Sequence, residues 1–231
     1  MKNVYKIGGK TIEINSIYEE VHTLCKDYFC GKIPDFTVKI SQSDINYERK
    51  KSAIEDEKEG IPVRNFSDSY LETLAVYRKI AEQMLAYDTL LFHGSVIAVD
   101  GIGYLFTAKS GTGKSTHTRL WREYLDERVI MVNDDKPLLQ ITKNGVIAYG
   151  TPWDGKHHLS SNISVPLKAI CILTRANENH IEHITKSTAY PMLLQQAYRP
   201  QDSLNMKKNI RTSGQNCGQY CPVPTGLQYG N

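Results

Sequence analysis

A chain of 231 residues, 40% hydrophobic and 23% charged, carries enough apolar material for one sizeable core or two small ones and has the composition of an ordinary globular protein. Its formal net charge of +3 is too slight and too dispersed to argue for nucleic acid or a membrane surface, no run approaches the roughly 18–20 apolar residues of a membrane span, and no opening stretch has the apolar core of a signal peptide. Cytoplasm is therefore the expected compartment, and five cysteines fit it: Cys25, Cys30 and Cys171 read as core or near-core thiols, while Cys217 and Cys221 lack the second pair that a zinc site would need.

Residues 4–7 and 11–14 alternate in polarity around Gly8-Gly9, which predicts a β-hairpin. Ser16 and Glu19 have the spacing of a capping box ahead of one helical face, made by Ile17, Val21, Leu24, Cys25 and Tyr28. Phe36, Val38 and Ile40 alternate as a further strand. Residues 41–60 are polar and highly charged, with Ile45, Tyr47 and Ile54 sparsely placed, and read as a loop or an exposed helix; Arg49-Lys50-Lys51 reads as a solvated face. A second capping-box pair, Ser69 and Glu72, precedes the longest apolar stripe: Tyr70, Leu71, Leu74, Tyr77, Ala81, Met84 and Leu85 predict a helix to about residue 87.

From Leu90 the texture changes to short apolar runs separated by glycine and aspartate, the pattern of successive close strands. Residues 91–99 and 103–107 read as two strands joined at Asp100-Gly101, and residues 129–132 as a strand ending in Asn133-Asp134-Asp135. Further short strands are expected at residues 138–142, 146–149 and 169–173. The expected organisation is an N-terminal α+β extension over residues 1–66 and an α/β nucleotide-binding domain over residues 67–204, followed by a tail over residues 205–231. That tail is rich in Gly, Asn and Gln, shows neither helical nor strand periodicity, and is expected to be poorly ordered.

The most informative stretch is Leu105-Phe106-Thr107-Ala108-Lys109-Ser110-Gly111-Thr112-Gly113-Lys114-Ser115-Thr116, an apolar strand running into a glycine-rich turn. Glycines let a backbone curl around phosphates, the following helix presents its positive end, Lys114 can reach the outer phosphates, and Ser115 offers a hydroxyl to magnesium. Residues Ser110, Gly111, Thr112, Gly113, Lys114, Ser115 and Thr116 are the candidate nucleotide-binding set. Ala108 stands where the full pattern has glycine, so the first bend has to use an ordinary backbone conformation. A bare Gly-Lys-Ser/Thr arises by chance in about one chain of this length in ten. The strand before it, and the helical recurrence of Leu120, Trp121, Tyr124 and Leu125 after it, set this one apart.

Twin carboxylates at the end of the next strand, Asp134 and Asp135, suit a nucleotide site: one can hold magnesium and the other can accept the proton of an attacking hydroxyl. An Asp-Asp turn is the bland alternative. His93, in Leu91-Phe92-His93-Gly94-Ser95, is either a hydrogen-bonded core imidazole or a group facing phosphate or tuning an aspartate. The connection Tyr149-Gly150-Thr151-Pro152-Trp153-Asp154-Gly155-Lys156-His157-His158 is suited to closing over a substrate, with Trp153 and Lys156 as the candidate substrate contacts; a structural turn with Trp153 packed beneath it is the alternative. His157-His158 is not expected to bind metal, because adjacent side chains on an extended chain point apart.

Together, His93-Gly94, residues 108–116 and Asn133-Asp134-Asp135 resemble in order and spacing the catalytic domain of HPr kinase/phosphorylase and the wider phosphoenolpyruvate-carboxykinase-like P-loop superfamily. Residues 106–121, then Asn133-Asp134-Asp135-Lys136-Pro137 and Tyr149-Gly150-Thr151-Pro152-Trp153, are more closely similar to bacterial HPr-kinase-related proteins; the resemblance covers about residues 85–200. It implies a P-loop sheet flanked by helices, with ATP and magnesium as cofactors. Lys114 and Ser115 would hold the nucleotide phosphates and the metal, Asp135 would assist the metal, Asp134 would be the base, and His93 would face the phosphates. The acidic and basic strand motif that supports phosphorylase action in the bifunctional family has no counterpart where Thr151-Pro152-Trp153 stands, so kinase action alone is expected. Relatives would end on an amphipathic helix and a Val-Pro-containing strand, whereas here Pro222-Val223-Pro224 is the one remnant, as though a reading-frame shift or early stop had replaced the last elements.

Three functions fit these residues. The first is an ATP-dependent kinase acting on a hydroxyl, a serine of a protein or peptide, with magnesium. The second is a nucleotide-binding regulatory module that has lost catalysis. The third is a small-molecule kinase or carboxykinase-like enzyme, which needs a small-anion pocket near Trp153 and Lys156. Neither nucleic acid nor membrane is an expected partner, and a homo-oligomer stays open.

Overall fold

The computed structural model describes residues 1–199, and the chain divides into two units, Met1–Gln83 and a second that begins at Met84. The helix expected to open the nucleotide-binding domain therefore groups with the N-terminal unit. The expectations for residues 205–231, including Cys217 and Cys221, lie outside the described residues.

In the first unit, β1 (Lys2–Ile7) and β2 (Lys10–Asn15) form the expected antiparallel hairpin, and β3 (Phe36–Lys39) adds in parallel beside β2. Period-two alternation buries Tyr5, Ile7, Ile12, Ile14 and Val38. Helix α1 (Glu20–Leu24) is short, and no side chain caps its start. The expected Ser16–Glu19 capping box does not form. Instead the buried Glu72 carboxylate accepts the amides of Ile17 and Tyr18 at 2.6 and 2.8 Å, which also takes Glu72 away from its own expected box. Helix α3 (Asp68–Met84) is capped two residues earlier than expected, by the Ser67 hydroxyl accepting the Tyr70 amide.

The charged stretch of residues 41–60 folds as one helix, α2 (Gln42–Glu59), opened by a capping box between Ser41 and Asp44 and closed at Gly60 in the left-handed conformation. Its inward side is mostly charge. Glu48 is buried against the Arg78 guanidinium, Asp44 binds Arg78 and Lys79, and Asp56 takes Arg64 through two oxygens, while Ile45 alone is a fully buried apolar side chain of this helix. Arg78 also lies over the Tyr47 ring, 4.7 Å from its centre. A helix docked by paired ions has no apolar stripe for sequence reading to find.

The second unit carries a seven-stranded mixed sheet in the order β4-β8-β9-β10-β6-β5-β7: β4 (Thr89–Leu91), β5 (Ser95–Val99), β6 (Ile102–Thr107), β7 (Val129–Asn133), β8 (Leu138–Thr142), β9 (Gly145–Tyr149) and β10 (Ser164–Ile172). It is α/β, with helices on both faces. Alternation sorts the strands: Val96, Ala98, Leu105 and Val132 face a core shared with Ala189 and Leu193 of helix α5 (Lys186–Gln196). Ile97, Phe106 and Met131 face the opposite core around Trp121 of helix α4 (Lys114–Leu125). Helix α5 has no sequence forecast, since Pro191 sits inside it and its apolar positions form no stripe. The single strand expected over residues 91–99 is broken at His93-Gly94.

Cys25 is buried, which pushes its thiol up to about 12, and Cys30 and Cys171 are half-buried and outside any disulfide, in keeping with core or near-core positions. Among the described residues no helix is long and apolar enough to cross a membrane.

Candidate functional site

Strand order makes the site. Strand β5 runs antiparallel to both β6 and β7, and β10 runs parallel to β6. The ends of β10, β6 and β7 and the start of β5 therefore share one edge of the sheet. The crevice beyond the carboxyl ends of strands is where α/β folds bind ligands.

At the end of β6 the chain enters the glycine-rich turn. Ala108 is buried and is not among the positive-φ residues, in keeping with its expected ordinary backbone, whereas Gly111 at φ 74° and Gly113 at φ 115° occupy the left-handed region where a side chain would be strained. Gly113 caps α4, and the His117 amide donates to its carbonyl at 2.9 Å. The amides of Lys114, Ser115 and Thr116 therefore head the helix before its own ladder begins. Ser110, Gly111, Ser115 and Thr116 are exposed, and Thr112 folds its hydroxyl back onto the Lys109 carbonyl at 2.8 Å. The helix is pinned from behind: Trp121 donates its indole N–H to His117 Nε2 at 3.0 Å, and His117 lies 4.6 Å from the Phe106 ring. Burial holds His117 down at about 4, so at neutral pH it is the uncharged acceptor of that bond.

Lys114 donates to the Ala108 carbonyl at 3.3 Å. Burial lowers its ammonium below the ordinary range; the charge of Asp135 works against that shift and the charge of Lys136 adds to it. Lys114 is thus within electrostatic reach of Asp135, across the loop. Asp135 also takes His93 Nε2 at 3.3 Å and Lys136 Nζ at 3.3 Å. Burial acts to raise its carboxyl, but the His93 hydrogen bond and the Lys136 charge outweigh it, and Asp135 sits below the ordinary carboxylate range. His93 is held through its backbone: its amide donates to the Gln196 carbonyl at 2.8 Å and its carbonyl accepts the Thr107 hydroxyl at 2.9 Å.

Asp134 has the opposite environment. It is 7% exposed, and burial raises its carboxyl, with the charges of Asp154 and Asp135 pushing the same way against the Gly155 amide, which donates to Oδ1 at 2.5 Å. Two neighbouring carboxylates are driven apart, one toward proton acceptance and one toward permanent charge, which is how acid–base pairs are differentiated.

Asn133 holds the pair in place. Its Oδ1 accepts the amides of Asp135 and Lys136 at 2.9 and 2.5 Å, and its buried Nδ2 donates to the Thr151 carbonyl at 3.1 Å. Thr151 returns its hydroxyl to the Lys136 carbonyl at 2.8 Å. The 150–160 connection is thereby fastened to the aspartate turn. Asp154, its side chain 6% exposed, closes it internally through His158 Nδ1 at 2.9 Å and the Ser160 hydroxyl at 2.8 Å. A Cβ on Gly155 would stand 2.7 Å from Asp134 Oδ2, so only glycine lets this loop rest on that carboxylate.

Asp135 and His93 thus meet, with Lys114 in electrostatic reach of Asp135 and Asp134 next in the chain, and Ser115 stands on the exposed first turn of α4. Trp153 does not present itself: it is 9% exposed, a packed side chain rather than the exposed aromatic expected of a substrate loop. Lys156 is exposed and takes no part in the Asp135 cluster. Three contributors carried no assigned role in the sequence reading: Lys136, Asp154 and Arg175, whose guanidinium donates to the Gly111 carbonyl at 2.6 Å. Asn133 followed by two residues with free amides is a recognisable Asx-turn signature, but a partner 64 positions away, as Arg175 is from Gly111, leaves no local signal.

No curated protein matches the chain. One family model does, that of SynChlorMet cassette protein ScmC, over residues 63–215, well over half of the 231 residues. The match takes in the phosphate loop, the aspartate turn, the 150–160 connection and Arg175 together. On that extent, the chain belongs to the SynChlorMet cassette protein ScmC family.

Proposed function

We propose that this protein is an ATP-dependent phosphotransferase, HPr-kinase-like in fold and chemistry, which passes the terminal phosphoryl group of ATP to a hydroxyl, a serine of a protein or peptide, with magnesium. The observation that carries the reading is that the glycine turn bearing Lys114 and the turn bearing Asp134 and Asp135 leave the same end of the sheet, with Lys114 in electrostatic reach of Asp135 and burial making Asp134 more basic. The acceptor oxygen attacks the terminal phosphorus, the bond from that phosphorus to the bridging oxygen of ADP breaks, and the hydroxyl proton passes to Asp134. Lys114 and the leading amides of α4 bind the phosphates, and His93 and Lys136 hold the Asp135 carboxylate in position.

The Ser115 hydroxyl and the ionised Asp135 carboxylate are the hard oxygen donors that magnesium prefers. Among the described residues no three His, Cys, Asp or Glu side chains are grouped to hold an ion. Held there, magnesium would supply positive charge to offset that of the phosphates.

The burial of Asp134 under Gly155 favours one second reading, a nucleotide-binding module without turnover. Terminally labelled ATP separates the two. Incubated with the full chain, magnesium and lysate, the label is expected on a protein or peptide; ATP binding by calorimetry with no label transferred to any acceptor would leave only the module.

The pH profile gives a further check. Proton acceptance needs Asp134 ionised, so activity falls as pH drops through its raised value, and the acid limb of kcat/KM is expected above the ordinary aspartate value of about 3.9. Removing the Asp154 charge with Asp154→Asn takes away one cause of the elevation and should move that limb to lower pH. A limb that stays in place rules out Asp134 as the titrating base.

A further inference from the structure

Arg175 has no part in the chemistry above, yet it is tied to the phosphate loop. After β10 the chain continues in register with β6 for one more bond, the Leu173 amide donating to the Thr107 carbonyl at 2.8 Å. Two residues on, the Arg175 guanidinium donates through Nη2 to the Gly111 carbonyl at 2.6 Å. It pairs with no carboxylate among the described residues, and the side chain is otherwise exposed. A guanidinium has five donors on a flat, weakly hydrated fork. One is used on Gly111, which fixes the plane beside the loop and leaves its face and remaining donors open.

Strand order says which end of a nucleotide this plane meets. In the run β10-β6-β5-β7 the phosphate loop follows β6; Asp134 and Asp135 follow β7 on one side, and Arg175 follows β10 on the other. A nucleotide whose terminal phosphate lies toward the aspartates crosses the loop and brings its nucleoside out over the end of β10. We infer that Arg175 is the nucleoside-side contact of this site, its tethered guanidinium taking the face of the nucleobase. The inference rests on the phosphotransferase reading, since it presumes that the terminal phosphate lies toward Asp134. Guanidinium planes stack on bases with little regard to base identity, so the contact supplies affinity for a nucleotide over bare polyphosphate rather than a choice among bases.

The experiment compares two ligands, ATP and inorganic tripolyphosphate, each with magnesium, on the full-length chain, Arg175→Ala and Arg175→Lys. ATP is expected to bind about tenfold more weakly to both variants, since lysine keeps the charge but not the plane, whereas tripolyphosphate affinity changes by less than about twofold. Equal losses for the two ligands overturn the inference, because Arg175 would then act through the loop or on the phosphates. Unchanged ATP affinity overturns it as well, with the phosphotransferase reading intact. If the unaltered chain binds neither ligand, that reading fails first and takes this one with it. Thermal unfolding without ligand shows whether the variants keep the fold, and the lysine variant, whose Nζ can still reach the Gly111 carbonyl, carries the test if the alanine variant does not.

Discussion

Asp134→Asn is expected to lower phosphoryl transfer by about 10²–10⁴-fold, the usual contribution of a positioned general base, while ATP affinity stays within about threefold of the unaltered chain. Asparagine has the same shape, and its Oδ1 can still accept the Gly155 amide, so the turn and the loop over it persist. What is lost is the capacity to take a proton. The matching change at Asp135 should read differently, because that carboxylate is held ionised by His93 and Lys136 and acts electrostatically on Lys114; its loss is expected in KM for the nucleotide as well as in kcat. Steady-state rates with calorimetric nucleotide binding make the comparison. An Asp134→Asn variant that turns over at the normal rate would mean the proton goes elsewhere.

The second large effect is on stability. A Cβ on Gly150 would lie 1.9 Å from the Ser161 carbonyl oxygen and 2.6 Å from that of Val132, both backbone atoms with no side-chain freedom to yield. They also belong to the bonds that fasten the loop: the Ser161 carbonyl accepts the Ile163 amide, and the Val132 carbonyl accepts the Ser161 amide. Gly150→Ala therefore has to move one strand end away from another, and a cost of about 4 kcal/mol or more is expected, the size reserved for forced overpacking of a buried site. At roughly 2–4 °C per kcal/mol for a protein of this size, the thermal midpoint of the C-terminal unit should fall by about 10 °C. A shift of one or two degrees would show that the strand ends separate easily.

Much of the second unit was legible because alternation is a local property. Strands β5 to β9 fall where the apolar runs stand, and the strand–loop–helix succession around Lys114 was readable from the glycines and the periodicity alone. For residues 41–60 a loop and an exposed helix both stood open, because helix α2 is held by Asp44 and Glu48 on Arg78 and Lys79 far along the chain and by Asp56 on nearby Arg64, and apolar periodicity cannot register a charged inner face. Ser16 and Glu72 matched capping patterns, but other partners claimed both: Ser16 the nearby Tyr18 carbonyl and His22 ring, and Glu72 two amides more than fifty positions away. Within the site, the residues themselves were legible as chemical types. The division of labour between Asp134 and Asp135 was not, because it depends on burial, on the Asp154 charge and on the His93 contact, none of which neighbours them in sequence.

Asp135 already serves as the counter-ion for Lys136, contacts His93 Nε2 and lies within the field of Lys114. The two lysines therefore do not repel one another unopposed, because an internal carboxylate lies between their fields. On the phosphotransferase proposal, a triphosphate would exchange partners with that carboxylate instead of neutralising bare cations, its net electrostatic gain would be correspondingly small, and the diphosphate would depart without exposing uncompensated charge. The resident anion would then tune residence time.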